Sequence, residues 1–308
     1  MAAITASRAR GRPRTAARSR RGLKLRQNLT AHAFLFGALV SFGLFTWYPM
    51  VREVVMSFQR TKRGRTSWVG LDNLRRIVHD PAFWHAWGNT LRFTLLALVL
   101  GFALPFLIAV LLNELRHARA YLRVLVYLPV MLPPVAGVLL FKYCYDPNYG
   151  LFDHLLRALH LPTSAWLNSP GSAMLSVVIA ATWMNMGGAT LIYLAALQGI
   201  PGELYEAAEL DGAGLLRKVW HVTIPQTRLI LSLLLLLQLV ATMQVFVEPY
   251  LLTGGDGPQD STLTVVNLVY QYAFNFGNYG SAAALGLVML LVLAGFSALY
   301  VRLSRAED

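Results

Sequence analysis

Six stretches of the sequence are each long and apolar enough to cross a bilayer as a helix, which takes about 20 residues. They are Ala31–Val51, Phe93–Leu112, Val124–Phe141, Ala173–Leu197, Leu229–Leu252 and Ala282–Val301. Across the chain 56% of residues are hydrophobic and only 14% are charged, against about 25% charged in an average soluble domain. The sequence therefore predicts an all-α, polytopic membrane protein with six transmembrane helices, and it excludes a soluble globular domain and a disordered chain.

Prolines in the second and third predicted spans bear on the shape of those helices. Pro105 lies inside the second span, and Pro133 and Pro134 lie inside the third. Because proline lacks a backbone N–H and clashes with the preceding turn, we expect both spans to be kinked or locally unwound. Kinked spans often line cavities, although ordinary helix packing explains any one proline equally well.

The basic residues are distributed unevenly along the chain. Residues 1–30 carry nine basic residues and no acidic one. With a cytoplasmic N-terminus, 17 Lys and Arg residues fall inside and 10 outside, so the positive-inside bias favours cytoplasmic N- and C-termini. We predict a basic, disordered cytoplasmic arm over residues 1–30 and a transmembrane domain over residues 31–308. Because the arm adjoins a span and lacks interleaved aromatic residues, we expect it to contact membrane lipid and not nucleic acid.

The sequence lacks the motifs of common enzyme sites. It has no G-x-x-x-x-G-K-[ST] phosphate loop, no G-x-S-x-G elbow and no H-E-x-x-H pair. The seven histidines are scattered without the i, i+4 spacing of a metal site, and one cysteine, Cys144, excludes an internal disulfide and a cysteine-based zinc cluster. We therefore expect no catalytic residue, no metal and no bound cofactor in this chain, which moves a solute and does not convert it.

The connection between the fourth and fifth spans, about residues 199–228, has the pattern of two short helices joined by a bend. Pro201 is placed to begin a helix, and acidic residues follow in its first turns, where the helix dipole favours them. Gly212 is a natural place for the chain to turn, and Leu215 begins a second short amphipathic segment. A helix with such a small-residue face can lie close in a groove of another protein.

This connection resembles the EAA motif of ABC-importer permeases, which reads E-A-A-x-x-D-G-A followed after a gap by an aromatic residue and a proline. The matching residues are Glu206, Ala207, Ala208, Asp211, Gly212, Ala213 and Pro225. The usual phenylalanine position of the motif holds Val219, with Trp220 next to it. This departure slightly alters the expected docking surface.

Three further segments are similar to the carbohydrate-uptake branch of the same family, the maltose and glycerol-3-phosphate type. They lie within residues 68–90, 128–150 and 253–274. The last one resembles a TGGP…T…Y…F pattern, here with an insertion around Asp256. The resemblance covers residues 31–305 and is strongest to the larger maltose-type permease subunit.

The resemblance implies a type I ABC-importer permease fold and a multi-subunit machine in the cell membrane. Its other parts would be a second, different permease, two ATPase subunits that use ATP and Mg²⁺, and an extracytoplasmic binding protein that delivers a carbohydrate or glycerol-phosphate-like solute. Closure of the ATPases would act on the EAA residues and switch the spans between inward-open and outward-open states. The chain itself would be a transport subunit and not an enzyme.

Six side chains within the spans are candidates for the solute pathway, because polar groups at membrane depth usually face a cavity or a neighbouring helix. They are Trp183, Asn185, Gln238, Thr242, Gln244 and Glu248. A ring beside an amide suits a sugar, whose apolar face stacks and whose hydroxyls form hydrogen bonds. Gln238 and Thr242 are four residues apart and share a helix face, whereas Gln244 is expected to point elsewhere. Hydrogen bonding between helices explains each polar residue equally well.

Two other functions stay open at this point, a membrane-embedded lipid-linked glycosyltransferase and an ion-coupled secondary carrier. The glycosyltransferase would need convergent carboxylates or a metal site at one membrane face, and the sequence offers no obvious pair. The carrier would leave the connection at residues 199–228 unexplained. Inverted repeats between the halves would favour a carrier, and none is visible in the sequence.

Overall fold

The computed structural model of the chain describes residues 32, 35–62, 64–115 and 119–304, and these residues are mostly helical. They fall into one unit that ends at Val55 and a second that begins at Met56. The predicted basic arm, residues 1–30, lies outside the described residues.

Thirteen α-helices and two short strands make up the regular structure of the described residues from Tyr48 onward. In chain order they are α1 (Tyr48–Ser57), β1 (Gln59–Lys62), β2 (Arg65–Trp68), α2 (Asp72–His79), α3 (Pro81–Glu114), α4 (Arg119–Met131), α5 (Pro134–Cys144), α6 (Leu151–Ala158), α7 (Pro170–Gln198), α8 (Gly202–Leu210), α9 (Leu215–Lys218), α10 (Ile224–Met243), α11 (Val247–Thr253), α12 (Val265–Tyr270) and α13 (Tyr279–Ser304). Single π-helical turns precede α1, join α9 to α10 and follow α12.

Four helices among the described residues are long and apolar enough to cross a membrane, namely α3, α7, α13 and the continuous helix Leu215–Met243. The bent pair of α4 and α5 gives a fifth span if the two are taken together. The first predicted span, Ala31–Val51, is helical from residue 35 onward but is not among the helices that meet this test. The structure therefore supports a polytopic helical protein, and it does not confirm the count of six.

The two proline sites behave differently. The third predicted span is bent by 98° between Met131 and Pro134, as expected for two adjacent prolines that each remove a backbone donor. In contrast, α3 runs through the buried Pro105 as one element of 34 residues, so the expected unwinding is absent there. A single missing hydrogen bond is tolerated because α3 is packed along most of its length, chiefly against α7.

The fifth predicted span, Leu229–Leu252, is not one helix, because α10 ends at Met243 and α11 begins only at Val247. The physical reason is Pro249. In an uninterrupted helix the N–H of residue 249 would donate to the carbonyl of Val245, and proline has no N–H. The Val245 carbonyl instead accepts a hydrogen bond of 3.1 Å from the hydroxyl of Thr264, which is fully buried.

Replacing Thr264 with valine should destabilise the folded protein. The side chain keeps its shape but loses both the donor to the Val245 carbonyl and the acceptor for the Asn267 N–H at the start of α12. We expect a loss of about 1–3 kcal/mol, the cost of leaving a buried carbonyl unpaired. The measurement is the thermal unfolding midpoint in detergent. Thr163→Val is the matched control, because Thr163 is exposed. Equal midpoints for the two variants would show that the break does not depend on Thr264.

A two-stranded hairpin, which the sequence analysis did not anticipate, precedes α2. Strands β1 and β2 pair antiparallel, with Gln59 opposite Trp68. The side-chain amide of Asn73, in α2, donates to the carbonyls of Ser57 and Gln59 at 2.9 and 2.8 Å. The buried Asn73 thereby fixes the hairpin to the helix that follows it.

Candidate coupling elbow and transport cavity

The connection at residues 199–228, here called the elbow, consists of α8, a tight turn and α9. Gly212 forms the turn with a φ of +73°, in the left-handed region that favours glycine. The N–H groups of Gly212 and Ala213 donate to the carbonyls of Glu209 and Ala208, at 3.0 and 2.9 Å, which closes the end of α8. The predicted bend at Gly212 is therefore confirmed.

Two side-chain contacts tie α8 to the start of the following long helix. The hydroxyl of Tyr205 lies 3.1 Å from the hydroxyl of the buried Thr223. The ammonium of Lys218 donates to the carboxylate of Glu209 at 2.9 Å. None of these four residues was predicted from the sequence to form a contact. The available signal was the i, i+3 spacing of Tyr205 and Ala208, which places both residues on one face of α8.

The motif residues divide between the two sides of the elbow. Ala208 and Ala213 are half-buried. The others are exposed: Glu206, Ala207, Asp211, Gly212 and Pro225. Leu210, which is 90% exposed, lies beside them at the end of α8. The elbow therefore has a fixed inner side and an outer side that presents acidic, small and apolar groups.

A cavity of about 420 Å³ lies between α3, the α4–α5 bend, α7 and the break between α10 and α11. Five of the six predicted pathway residues line it, namely Asn185, Gln238, Thr242, Gln244 and Glu248. Gln244 was expected to point away from Gln238 and Thr242. It reaches the same cavity because α10 ends one residue before it, so helical spacing no longer sets its direction.

Each of the three amides of the cavity donates one of its two N–H groups to a backbone carbonyl. Asn185 Nδ2 donates to the Ala181 carbonyl at 2.8 Å. Gln238 Nε2 donates to the Ala97 carbonyl at 3.4 Å, and Gln244 Nε2 donates to the Val240 carbonyl at 3.1 Å. Within the described part of the chain, no donor reaches the three side-chain oxygens. Together with the carboxylate of Glu248, the cavity therefore offers hydrogen-bond acceptors to a ligand that carries donors.

Trp183, the sixth predicted residue, is not brought to this cavity. Its ring lies against Phe141, with the ring centroids 5.3 Å apart, and it packs on the buried cluster around α5 and α7. Asn185, two residues later, is on a different face of α7 and lines the cavity. The two residues therefore do not form the predicted pair of ring and amide.

Gly101 and Phe246 are among the lining residues that were not anticipated from the sequence. A Cβ atom on Gly101 would lie 2.6 Å from the Gln238 amide nitrogen. Because glycine has no Cβ, the Gln238 amide can occupy this position beside α3. Phe246 lies in the break before α11, with a φ of −135° and a ψ of −53°. Only the break brings its ring to the cavity.

Residues 97–307, which include the elbow and most of the cavity lining, match the family described as the binding-protein-dependent transport system inner membrane component. The chain belongs to this family. The permease is therefore a transport subunit of the inner membrane. Membership favours transport over the membrane-embedded glycosyltransferase, and binding-protein-dependent transport over the ion-coupled carrier.

Relatives of the permease match over nearly its whole length. It is 34% identical over 277 residues to the probable ABC transporter permease protein YurN of Bacillus subtilis (strain 168), covering 88% of this chain and 94% of YurN. It is 32% identical over 278 residues to the arabinooligosaccharides transport system permease protein AraP of the same organism, covering 89% and 88%. These relatives agree with the ABC-importer resemblance of the elbow.

The fold of the permease matches a solved ABC transporter. The crystal structure of the bacterial alginate ABC transporter, in complex with an alginate pentasaccharide-bound periplasmic protein, contains a chain that superposes with a TM-score of 0.81. The match covers 92% of the permease and 96% of that chain at 24% sequence identity. The permease therefore has the ABC-importer permease fold expected from the sequence.

Proposed function

We propose that the permease translocates an uncharged sugar, delivered by an extracytoplasmic binding protein, and that ATP hydrolysis by two partner subunits drives it through the elbow. ATP and Mg²⁺ are bound by those ATPase subunits, and this chain holds no cofactor. The N- and C-termini and the elbow lie in the cytoplasm, as the distribution of basic residues favours. A second, different permease completes the pathway, and anionic lipid contacts the basic arm.

One observation carries the proposal, the continuous helix Leu215–Met243. It begins in the elbow and ends at the cavity, so its 29 residues span about 43 Å at 1.5 Å per residue. Gln238 and Thr242 project from its far end into the cavity, while Lys218 and Thr223 fasten its near end to α8. A displacement of α8 is therefore transmitted along one rigid element to the residues that contact the solute.

The outer side of the elbow suits docking to another protein. Glu206 and Asp211 give it negative charge, Ala207 lets a partner approach closely, and Leu210 offers an exposed apolar anchor. A short amphipathic helix of this kind inserts into a groove of its partner. We assign that groove to the ATPase subunit.

The chemistry of the cavity supports a sugar as the solute. Its three amide oxygens accept hydrogen bonds from hydroxyl groups, and its volume lies in the usual range for small-ligand sites, about 300–1,000 Å³. Glu248 is its one charged residue among those that the structure describes. Among the described residues Glu248 forms no ion pair. Its carboxylate repels phosphate and uronate groups, so a glycerol phosphate is disfavoured. Relatives include permeases named for a neutral solute, such as AraP for arabinooligosaccharides, and for an anionic one, SmoG for sulfoquinovosyl glycerol, so the choice of a neutral sugar rests on Glu248.

The surface of the long helix supports a second permease subunit. Apolar residues such as Leu229, Leu233 and Leu237 are exposed along α10 at 63%, 47% and 54%. Contiguous exposed apolar surface marks contact with lipid or with another protein. We assign part of this face to the partner permease.

The test of this proposal is sugar uptake by cells of the native host in which the permease gene is deleted or restored. The panel is radiolabelled maltose, trehalose, lactose and arabinotriose, with glycerol 3-phosphate as the anionic comparison. We expect restored cells to accumulate at least one neutral sugar, and to lose this accumulation when ATP is depleted. Accumulation of glycerol 3-phosphate alone, or uptake that persists without ATP, would contradict the proposal.

Alanine substitution of Asn185, Gln238 and Thr242 together should weaken transport of the sugar that the wild type accumulates. The substitutions remove two acceptor oxygens and one hydroxyl from the cavity. We therefore expect the half-saturating concentration to rise, or the maximal rate to fall, by at least about tenfold. The measurement is initial uptake rate against sugar concentration, corrected for the amount of permease in the membrane. Unchanged kinetics would show that these side chains only pack helices.

A further inference from the structure

Four aromatic rings connect the cavity to the surface of the permease. Phe246 lines the cavity, and its ring is stacked on that of Tyr250 with the centroids 5.1 Å apart. The ring of Tyr270 contacts both, at 5.4 Å from Phe246 and 5.0 Å from Tyr250. Phe274 follows at 4.9 Å from Tyr270 and is 70% exposed. These four residues are called the aromatic track.

The local sequence explains the arrangement of the track. Phe246 and Tyr250 are four residues apart at the start of α11, and Tyr270 and Phe274 are four residues apart at the end of α12, so each pair lies on one helix face. The hydroxyl of Tyr250 donates to the hydroxyl of Tyr270 at 3.3 Å, which fixes the two helices side by side. The track therefore runs along α11 and crosses once to the end of α12.

The opposite face of the same segment has a structural role. Tyr272 is 7% exposed, and its hydroxyl donates to the carboxylate of Asp80 at 2.6 Å, where α3 begins. Burial of this kind stabilises the fold. Phe274 is different, since most of its ring remains exposed and its one ring contact in the described part of the chain is Tyr270. Packing therefore accounts for Tyr272 and does not account for Phe274.

We propose that the aromatic track is a sugar-binding surface along which the ring of the solute passes between the outer opening and the cavity. This inference rests on the proposed function. An aromatic face stacks on the apolar C–H face of a pyranose or furanose, and the tyrosine hydroxyls exchange hydrogen bonds with the sugar hydroxyls. Several weak sites in series let a solute bind and then move on, whereas one tight site would hold it.

Phe274→Ala tests the track, because the exposed ring contributes little to folding. We expect the initial uptake rate at a sugar concentration below half-saturation to fall about three- to tenfold. Phe274→Trp, which keeps an aromatic face, should retain most of the rate. Phe276→Ala is the matched control, since Phe276 is similarly exposed at 66% but pairs with Tyr272 on the other face. It should leave uptake unchanged.

Uptake is measured with the panel sugar that wild-type cells accumulate, alongside co-purification of the second permease and of the binding protein. Wild-type rates for Phe274→Ala, or equal losses for Phe274→Ala and Phe276→Ala, would overturn the track while leaving the proposed function intact. Loss of either partner from the Phe274→Ala complex would show that the ring is a docking contact and would also overturn it. Wild-type cells that accumulate no sugar would reject the proposed function, and the track with it.

Discussion

Gly212→Val is expected to abolish ATP-driven uptake while leaving the amount of permease in the membrane unchanged. The φ of Gly212 is +73°, a conformation that costs an L residue about 1–2 kcal/mol and a β-branched residue more. No atom lies within 4 Å of the position that a Cβ would take, so the effect comes from the backbone and not from a collision. The strained turn would change the direction of α8, which would break its contacts with the long helix.

The measurements for Gly212 are sugar uptake in cells and ATP hydrolysis by the purified complex. We expect at least a tenfold loss of uptake, with hydrolysis that no longer responds to the solute-loaded binding protein. Gly212→Asn should retain uptake, because asparagine tolerates the left-handed conformation. Gly214→Ala should also retain it, since Gly214 has an ordinary φ of −72° and open space around it. Normal coupling in Gly212→Val would contradict the role of the elbow.

Gly187→Ala is expected to destabilise the permease, whereas Gly188→Ala is expected to leave its stability unchanged or slightly raised. A Cβ on Gly187 would lie 2.5 Å from the carbonyl oxygen of Val126 and 3.0 Å from the Cα of Tyr127, so the backbones of α7 and α4 are in close contact there. Small residues permit this approach between membrane helices. Because backbone atoms cannot rotate away, α4 must shift, at a cost of about 1–3 kcal/mol.

Gly188 supplies the matched control for this prediction. A Cβ on Gly188 would meet no atom within 4 Å, and alanine is about 1 kcal/mol better than glycine in a helix interior. The two neighbouring substitutions should therefore act in opposite directions on the thermal unfolding midpoint in detergent. A larger drop for Gly188→Ala than for Gly187→Ala would show that the close crossing of α4 and α7 does not limit stability.

Sequence patterns located the elbow well because its structure is decided locally. Pro201 cannot continue a hydrogen-bonded helix and is followed directly by α8, and Gly212 is the residue whose missing Cβ permits the turn. The sequence did not identify Tyr205 and Thr223 as partners. Their hydroxyls meet across 18 residues of chain, and this meeting depends on how the bend places α8 against the following helix.

The cavity was predicted less completely, and Trp183 and Gln244 show why. Mean hydropathy and helical spacing favoured one uninterrupted fifth span, which would turn Gln244 away from Gln238. The break at Val245 reverses that outcome. Pro249 removes the backbone donor there, and the carbonyl that is left is paired by the hydroxyl of Thr264, 19 residues away in the chain. Trp183 was chosen because it neighbours Asn185, yet the packing of its ring on Phe141 is set by α5, an element from a different span.

The sequence by itself determined that the chain is a polytopic helical protein with a bent connection carrying a recognisable motif, because hydrophobic length, proline and glycine act on the backbone within a few residues. The tertiary structure alone decided which polar side chains share a cavity, which distant hydroxyl pairs the carbonyl at the break in the fifth span and which rings join into a track. Those outcomes require that groups far apart in the chain satisfy one another's hydrogen bonds and fill one another's space, and no local pattern records which distant partner is available.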